Sequence, residues 1–133
     1  PDLVWLEGYT TRFWADPENN FLEVTLFWRN GDARLDRDLL VRVNLLSASG
    51  ELVYQVLDQP GEKMFPTPSW APGMWLVDRY QLKRPTPEAG PYTAAITLFD
   101  SAAEGALPTR AASGGPLPDD TFVIPTIPVP SVP

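Results

Sequence analysis

The sequence predicts an all-β fold: an antiparallel β-sandwich of about seven to eight strands, immunoglobulin-like or jelly-roll in plan. Three observations carry that prediction. Apolar and polar residues alternate with period two over segments of roughly seven to ten residues, and helical periodicity is nearly absent. Clusters of Gly, Pro, Asn and Asp separate the segments at intervals of about eight to twelve residues. Five Trp, four Tyr and six Phe among 133 residues supply one good core, in a chain too short for two ordinary domains.

The first strand runs from Leu3 to Tyr9 and continues past Thr10 to Trp14, and Asp16-Pro17-Glu18-Asn19-Asn20 forms the turn after it. From Phe21 to Arg29, Leu22, Val24, Leu26 and Trp28 share one face. Phe21, Glu23, Thr25, Phe27 and Arg29 share the other. The first row is expected to be core. Asn30-Gly31-Asp32 ends the strand. Leu39, Val41, Val43 and Leu45 then form the inner row of the third strand, with Arg42 and Asn44 outward.

Ser47-Ala48-Ser49-Gly50 is short enough to make strands three and four a hairpin, with Leu52, Tyr54 and Val56 facing in. A long proline-rich loop over 58–73 follows. Met74 to Lys83 returns to strand with Leu76, Asp78, Tyr80 and Leu82 in one row, and Arg84-Pro85-Thr86-Pro87 with Ala89-Gly90 makes the next turn. Tyr92, Ala94, Ile96 and Leu98 form the next inner row, closed by Asp100. The small, polar, glycine-rich stretch 101–118 reads as loop. Phe122-Val123-Ile124 before alternating prolines reads as an edge strand or an extended tail. The domain is accordingly placed at 1–123, with a polyproline-like tail at 124–133.

Charge and missing residue types narrow the function. A formal charge of −7, with no basic run, disfavours a nucleic-acid partner, because phosphate binding depends on clustered Lys and Arg. Cysteine and histidine are both absent. That excludes disulfides, thiolate metal sites and Ser-His-Asp or Cys-His catalysis. No apolar run reaches about 18 residues, so direct membrane insertion is not expected. The start at Pro1 without an initiator Met reads as that of an excised fragment.

The stretch Phe65 to Trp75 concentrates rigidity and aromatic area. Pro66, Pro68 and Pro72 fix backbone angles, so the loop loses little entropy on ordering and can hold Trp70 in place. Trp70 is expected to plug one end of the sandwich, with an exposed stacking platform as the other reading. Trp75 has the parity of Val77, Arg79 and Gln81 and should point outward. Asp78 falls in the inward row, where a carboxylate needs donors. Backbone N–H groups of the proline-rich loop, or an arginine, are expected to supply them.

The pattern Pro66-Thr67-x-x-Trp70-x-Pro72-Gly73, then Asp78-x-Tyr80, then Gly90-x-Tyr92 and a strand ending Leu98-Phe99-Asp100, resembles a known module. It is similar to a β-sandwich of Chloroflexi and similar bacteria, found near the C-terminus of multi-pass membrane proteins that look like dolichyl-phosphate-mannose-type glycosyltransferases. Val24 to Arg29 resembles that module's Trp-Arg strand, and Leu45-Leu46 before Gly50 its central hairpin. The likeness covers residues 5 to 110 or so and departs at Val43-Asn44-Leu45, where many such modules carry a Phe-His-Leu-like strand. The resemblance implies an extracytoplasmic, non-catalytic accessory domain, placed outside a bacterial membrane or secreted. It transfers no catalytic residue.

The leading functional expectation is therefore a structural or protein-interaction module that docks against a partner or the membrane-embedded remainder of its own chain. Trp5, Phe21, Phe27 and Phe99 are candidates for an exposed apolar patch on it. The alternative is a carbohydrate-binding module, with Trp75, Phe27 and Trp70 stacking on sugar faces beside Glu23, Arg29 and Gln81. Trp28, Asp78 and Tyr80 are assigned structural roles. Glu7, Glu23, Asp78 and Asp100 are the carboxylates an enzyme would have to use, with no spacing that marks a pair. No cofactor is expected. Asp32, Asp36 and Asp38, or Asp100 and Glu104, offer oxygen ligands for calcium, but neither set has the EF-hand pattern and both read as solvated turn acids.

Overall fold

The computed structural model describes residues 4–14, 21–32, 34–35, 37–61, 64–83, 90–100, 105–106, 109–111 and 121–127. Within them the chain forms two packed sheets. The strands are β1 (Val4–Trp14), β2 (Phe21–Asn30), β3 (Leu40–Leu46), β4 (Leu52–Asp58), β5 (Trp75–Lys83), β6 (Tyr92–Asp100), β7 (Gly105–Ala106), β8 (Thr109–Ala111) and β9 (Thr121–Ile127). A single turn of 3-10 helix spans Thr67–Ser69. The first sheet has the order β5-β2-β1-β8. The second has β4-β3-β6, with β7 and β9 both bonded to β6. All pairings are antiparallel except that of β8, which runs parallel to β1.

The inner rows are those that period-two alternation predicts. Leu22, Val24, Leu26 and Trp28 of β2 are buried against Val41, Val43 and Leu45 of β3 and Tyr92, Ala94, Ile96 and Leu98 of β6. From β5 come Leu76, Asp78, Tyr80 and Leu82. Because the side-chain period is two, each inward row leaves a complementary outward row on the same strand. The outward row of the first sheet is the functionally interesting one.

Register shifts account for several departures from simple alternation. Leu52, expected inward, is 56% exposed. The β3–β4 pairing shifts between Leu45 and Leu46, so Tyr54 lies opposite inward Leu45 while Leu52 lies opposite outward Leu46. Opposed residues share a face, and the bulge therefore turns Leu52 out. A similar shift in β1 leaves Glu7 as the extra residue between Leu6, opposite Trp28, and Gly8, opposite Phe27.

The stretch read as loop over 101–118 contains the two short strands β7 and β8. They have too few residues to show alternation, and pairing with β6 and β1 defines them. The expected edge strand near Phe122 is β9, and it extends beyond the 1–123 boundary to Ile127. Ile124 lies opposite Ala94 and Ile127 opposite Tyr92, with a register shift between them. The extra residue, next to Pro125, lets two isoleucines three positions apart both enter the core. The turns at 16–20 and 84–89 and the tail beyond 127 lie outside the described residues.

Candidate functional site

With its inner row in the core, β2 presents Phe21, Glu23, Thr25, Phe27 and Arg29 on the outside of the first sheet. β5 pairs with it in unbroken register: Trp75 opposite Arg29, Val77 opposite Phe27, Arg79 opposite Thr25, Gln81 opposite Glu23. On the other flank β1 sets Trp5 opposite Arg29, Gly8 opposite Phe27, Thr10 opposite Thr25 and Arg12 opposite Glu23. Of the residues proposed from sequence as ligand contacts, Trp75, Phe27, Glu23, Arg29 and Gln81 therefore share one face.

Its leading row crosses three strands as Trp75, Arg29 and Trp5. The Arg29 guanidinium carbon stands 4.8 Å from the Trp5 ring centroid and 6.0 Å from that of Trp75. A cation over an indole face is worth about 0.5–1 kcal/mol at such partly exposed positions. Arg29 Nε also donates to Glu7 Oε1 at 2.7 Å. The β1 bulge makes this pair possible by inserting Glu7 beside the row. Arg29 thus acts less as an open charge than as a neutralised, flat spacer between two rings.

Exposure differs along the row. Trp75 is 61% exposed, while Trp5 and Arg29 are half-buried. The outer indole is the accessible one. Beside it, Val77 is exposed and Phe27 half-buried, and across from Phe27 the bare backbone of Gly8 adds no side chain. Beyond these the face turns polar through Thr25 and Arg79, then Glu23, Gln81 and Arg12. The arrangement is an aromatic and apolar end continuous with a hydrogen-bonding end, suited to holding a ligand or partner by stacking.

Trp70 does not belong to this face. It is fully buried, and its indole N–H donates to the Phe65 carbonyl at 2.9 Å. A ring enclosed on both sides offers no platform, so the ligand-contact reading of Trp70 is corrected and the end-plug reading stands. The four aromatics offered as candidates for an apolar patch do not all share this face. Trp5, Phe21 and Phe27 lie on the first sheet, whereas Phe99 is on β6 of the second, 5.6 Å from the Arg42 guanidinium carbon.

Asp78, Tyr80 and Trp28 occupy the opposite, inward side. Asp78 is fully buried and accepts from Trp28 Nε1 at 3.1 Å, Gly61 N at 2.9 Å and Tyr80 Oη at 2.7 Å. The Gly61 donor comes from the proline-rich loop, as expected. Gly61 has φ +69°, and a Cβ there would meet Phe65 Cδ2 at 2.8 Å and Phe65 Cβ at 2.9 Å. Only glycine fits that donor position. Burial, then the charge and hydrogen bond of Asp78, then the charge of Asp58, push the Tyr80 hydroxyl pKa well up from its ordinary 10.0.

The carboxylates are dispersed. Asp78 is inside the core, Glu7 and Glu23 are outside the first sheet, and Asp100 lies in the second, 3.4 Å from Arg37 Nη1. Among the described residues no three Asp, Glu, His or Cys side chains converge to hold a metal ion. Asp36 and Glu104 lie outside those residues.

Two structural side chains escaped sequence reasoning. Asn30 is fully buried and donates through Nδ2 to the carbonyls of Trp70 and Ala71 at 3.3 and 3.1 Å. Thr67, also buried, accepts from Leu39 N at 2.9 Å and donates to the Arg37 carbonyl. Both sit in turn-like sequence, where Asn and Thr are ordinarily solvated. Comparison with protein-family models, curated proteins and solved structures finds no match to this chain.

Proposed function

We propose that the chain is a non-catalytic accessory domain of a membrane-associated, glycosyltransferase-like protein, working on the extracytoplasmic side as a docking module. Its contact surface is the outer face of β5, β2 and β1. The observation that carries this reading is the Trp75-Arg29-Trp5 row, continuous with Val77 and Phe27. It is a rigid face in which an exposed indole, fixed by cross-strand pairing, meets a partner without an ordering cost to the backbone. The strand order, β1-β2-β5 against β4-β3-β6-β9, favours an immunoglobulin-like plan over a jelly roll. The partner is the membrane-embedded remainder of the parent chain.

Mixed with the separately purified membrane portion, the 133-residue chain is expected to co-elute. Trp75→Ala should weaken that association roughly tenfold or more, as an aromatic hot spot does. Co-elution indifferent to Trp75→Ala would move the contact to another face. A second reading, carbohydrate binding, has its own support in the exposed Trp75 ring with Glu23 and Gln81 directly opposed three rows away on the same face. Glycan-array binding that disappears in Trp75→Ala while the fold survives would favour it over protein docking.

A further inference from the structure

A strand at the edge of a sheet can take on a further strand, and proteins ordinarily blunt such edges with charge, proline or shortness. Among the described residues the other sheet edges are blunted: β5 carries Arg79 and Lys83, β9 carries Pro125, and β8 is three residues long. β4 is not. It pairs with β3 alone among those residues, and from Leu52 to Leu57 it holds neither charge nor proline. Its bulge at Val53 sits at the hairpin end, and the run from Tyr54 onward is regular. Leu52, Val53 and Leu57 are exposed, while Tyr54 and Val56 pack on the core and are only half-buried. We propose that β4 pairs antiparallel with β4 of a second copy of the chain, about a two-fold axis at Gln55, so that the second sheet continues from one copy into the next.

The register follows from the residues. Opposed residues of an antiparallel pair share a face, so a symmetric pairing has its axis at a residue and not between two. With the axis at Gln55, Val53 meets the partner's Leu57, Tyr54 meets the partner's Val56, and the two Gln55 side chains meet each other. An axis at Val56 would set Gln55 against Leu57 and Tyr54 against Asp58. One at Tyr54 would set Gln55 against Val53. Of these, the Gln55 axis alone pairs apolar with apolar and amide with amide. Gln55 Nε2 donates to Asn44 Oδ1 at 2.7 Å. An amide has a second N–H and a carbonyl oxygen, which serve its symmetry mate.

Charge places the contact here. A chain of formal charge −7 repels its own copy. The uncharged run 52–57 lets two copies approach with little local repulsion, and the two Asp58 carboxylates fall at opposite ends of the paired strands. The half-buried Tyr54 and Val56 are covered by the added strand. The outer face of β5, β2 and β1 belongs to the other sheet and stays open for the docking proposed above.

The chain has no cysteine, so single thiols report the register. Under mild oxidation Gln55→Cys is expected to form a disulfide-linked dimer at least about tenfold faster than Ala48→Cys, an exposed hairpin position, because pairing raises the local thiol concentration. Val53→Cys mixed with Leu57→Cys should give the mixed dimer ahead of either homodimer. Sedimentation equilibrium of the unaltered chain should show a mass that rises with concentration from one chain toward two. Leu57→Lys puts a charge on the edge and should weaken self-association about tenfold or more, and Val53→Lys should do the same. Both positions are exposed, so the fold tolerates the change. Trp75→Ala should leave self-association unchanged. A single-chain mass at every concentration would overturn the proposal and leave the edge to a strand of another protein. Coupling of Gln55→Cys no faster than that of Ala48→Cys, self-association that survives both lysine variants, or its loss in Trp75→Ala would overturn it as well.

Discussion

At Asp78, among the described residues, donors reach one buried carboxylate from different parts of the chain: an indole on β2, a backbone N–H in the proline-rich loop and the hydroxyl two residues along β5. Buried polar groups persist only when satisfied, and here satisfaction also fixes position. The arrangement makes stability depend on alkaline pH through Tyr80. Its native pKa is raised from the ordinary 10.0 by burial and by Asp78. In the unfolded chain Tyr80 ionises above about pH 10, while in the native state it keeps its proton. The native state then holds more protons, so Tyr80's stabilising contribution is complete below pH 10 and is lost as pH rises. The expected slope is about 1.4 kcal/mol per pH unit. Urea midpoints measured from about pH 9 to about pH 11.5 should show it, and Tyr80→Phe should remove it while lowering stability at neutral pH. An unaltered slope in Tyr80→Phe would assign the alkaline loss to other groups.

At the scale of elements, β2 and β5 show how two faces of one strand divide structure from function. Trp28 faces the core, fully buried, with its N–H on Asp78. Trp75 starts β5 on the outer parity. Trp28→Ala should cost about 3–5 kcal/mol as a large-to-small core change, and Trp75→Ala under about 1 kcal/mol, mainly its share of the Arg29 stacking. Chemical denaturation of the two variants separates them, and equal losses would sink the two-face assignment. This division was legible because alternation needs only local sequence, and it placed Glu23, Phe27, Arg29, Trp75 and Gln81 together. Bulges were not legible. Whether a strand carries an extra residue is decided by its partner, which is why Leu52 turned outward, Glu7 reached Arg29 and Ile127 entered the core without a local signal. Asn30 and Thr67 were missed for a related reason: the partners of Asn30, Trp70 and Ala71, lie 40 and 41 residues away, and those of Thr67, Leu39 and Arg37, lie 28 and 30 residues away.

Across the whole molecule, the proline-rich loop and β9 close the sandwich in different ways. The loop joins the two sheets at one end: Asn30, closing β2 of the first sheet, holds the carbonyls of Trp70 and Ala71, while Thr67 holds the entry to β3 of the second. Trp70 fills the space between, which is where the stiffness of Phe65 to Trp75 is used. The second closure is β9, whose Ile124 and Ile127 lie opposite Ala94 and Tyr92 on β6 and complete the core beside that strand. A chain ended after Val123 would expose that side of β6 and lose both isoleucines. At about 1.5–3 kcal/mol for each buried side chain, the loss should come to roughly 3–6 kcal/mol, a large fraction of the stability of a domain this size. Thermal unfolding of the shortened chain should therefore show a Tm lower by well over 10 °C, at about 4 °C or more per kcal/mol. Because β9 pairs with β6 of the other sheet and not with β5 or β2, Trp75 should keep its exposure in whatever fraction stays folded. An unchanged Tm would mean that the sandwich is complete at Val123 and that the two isoleucines only rest on it.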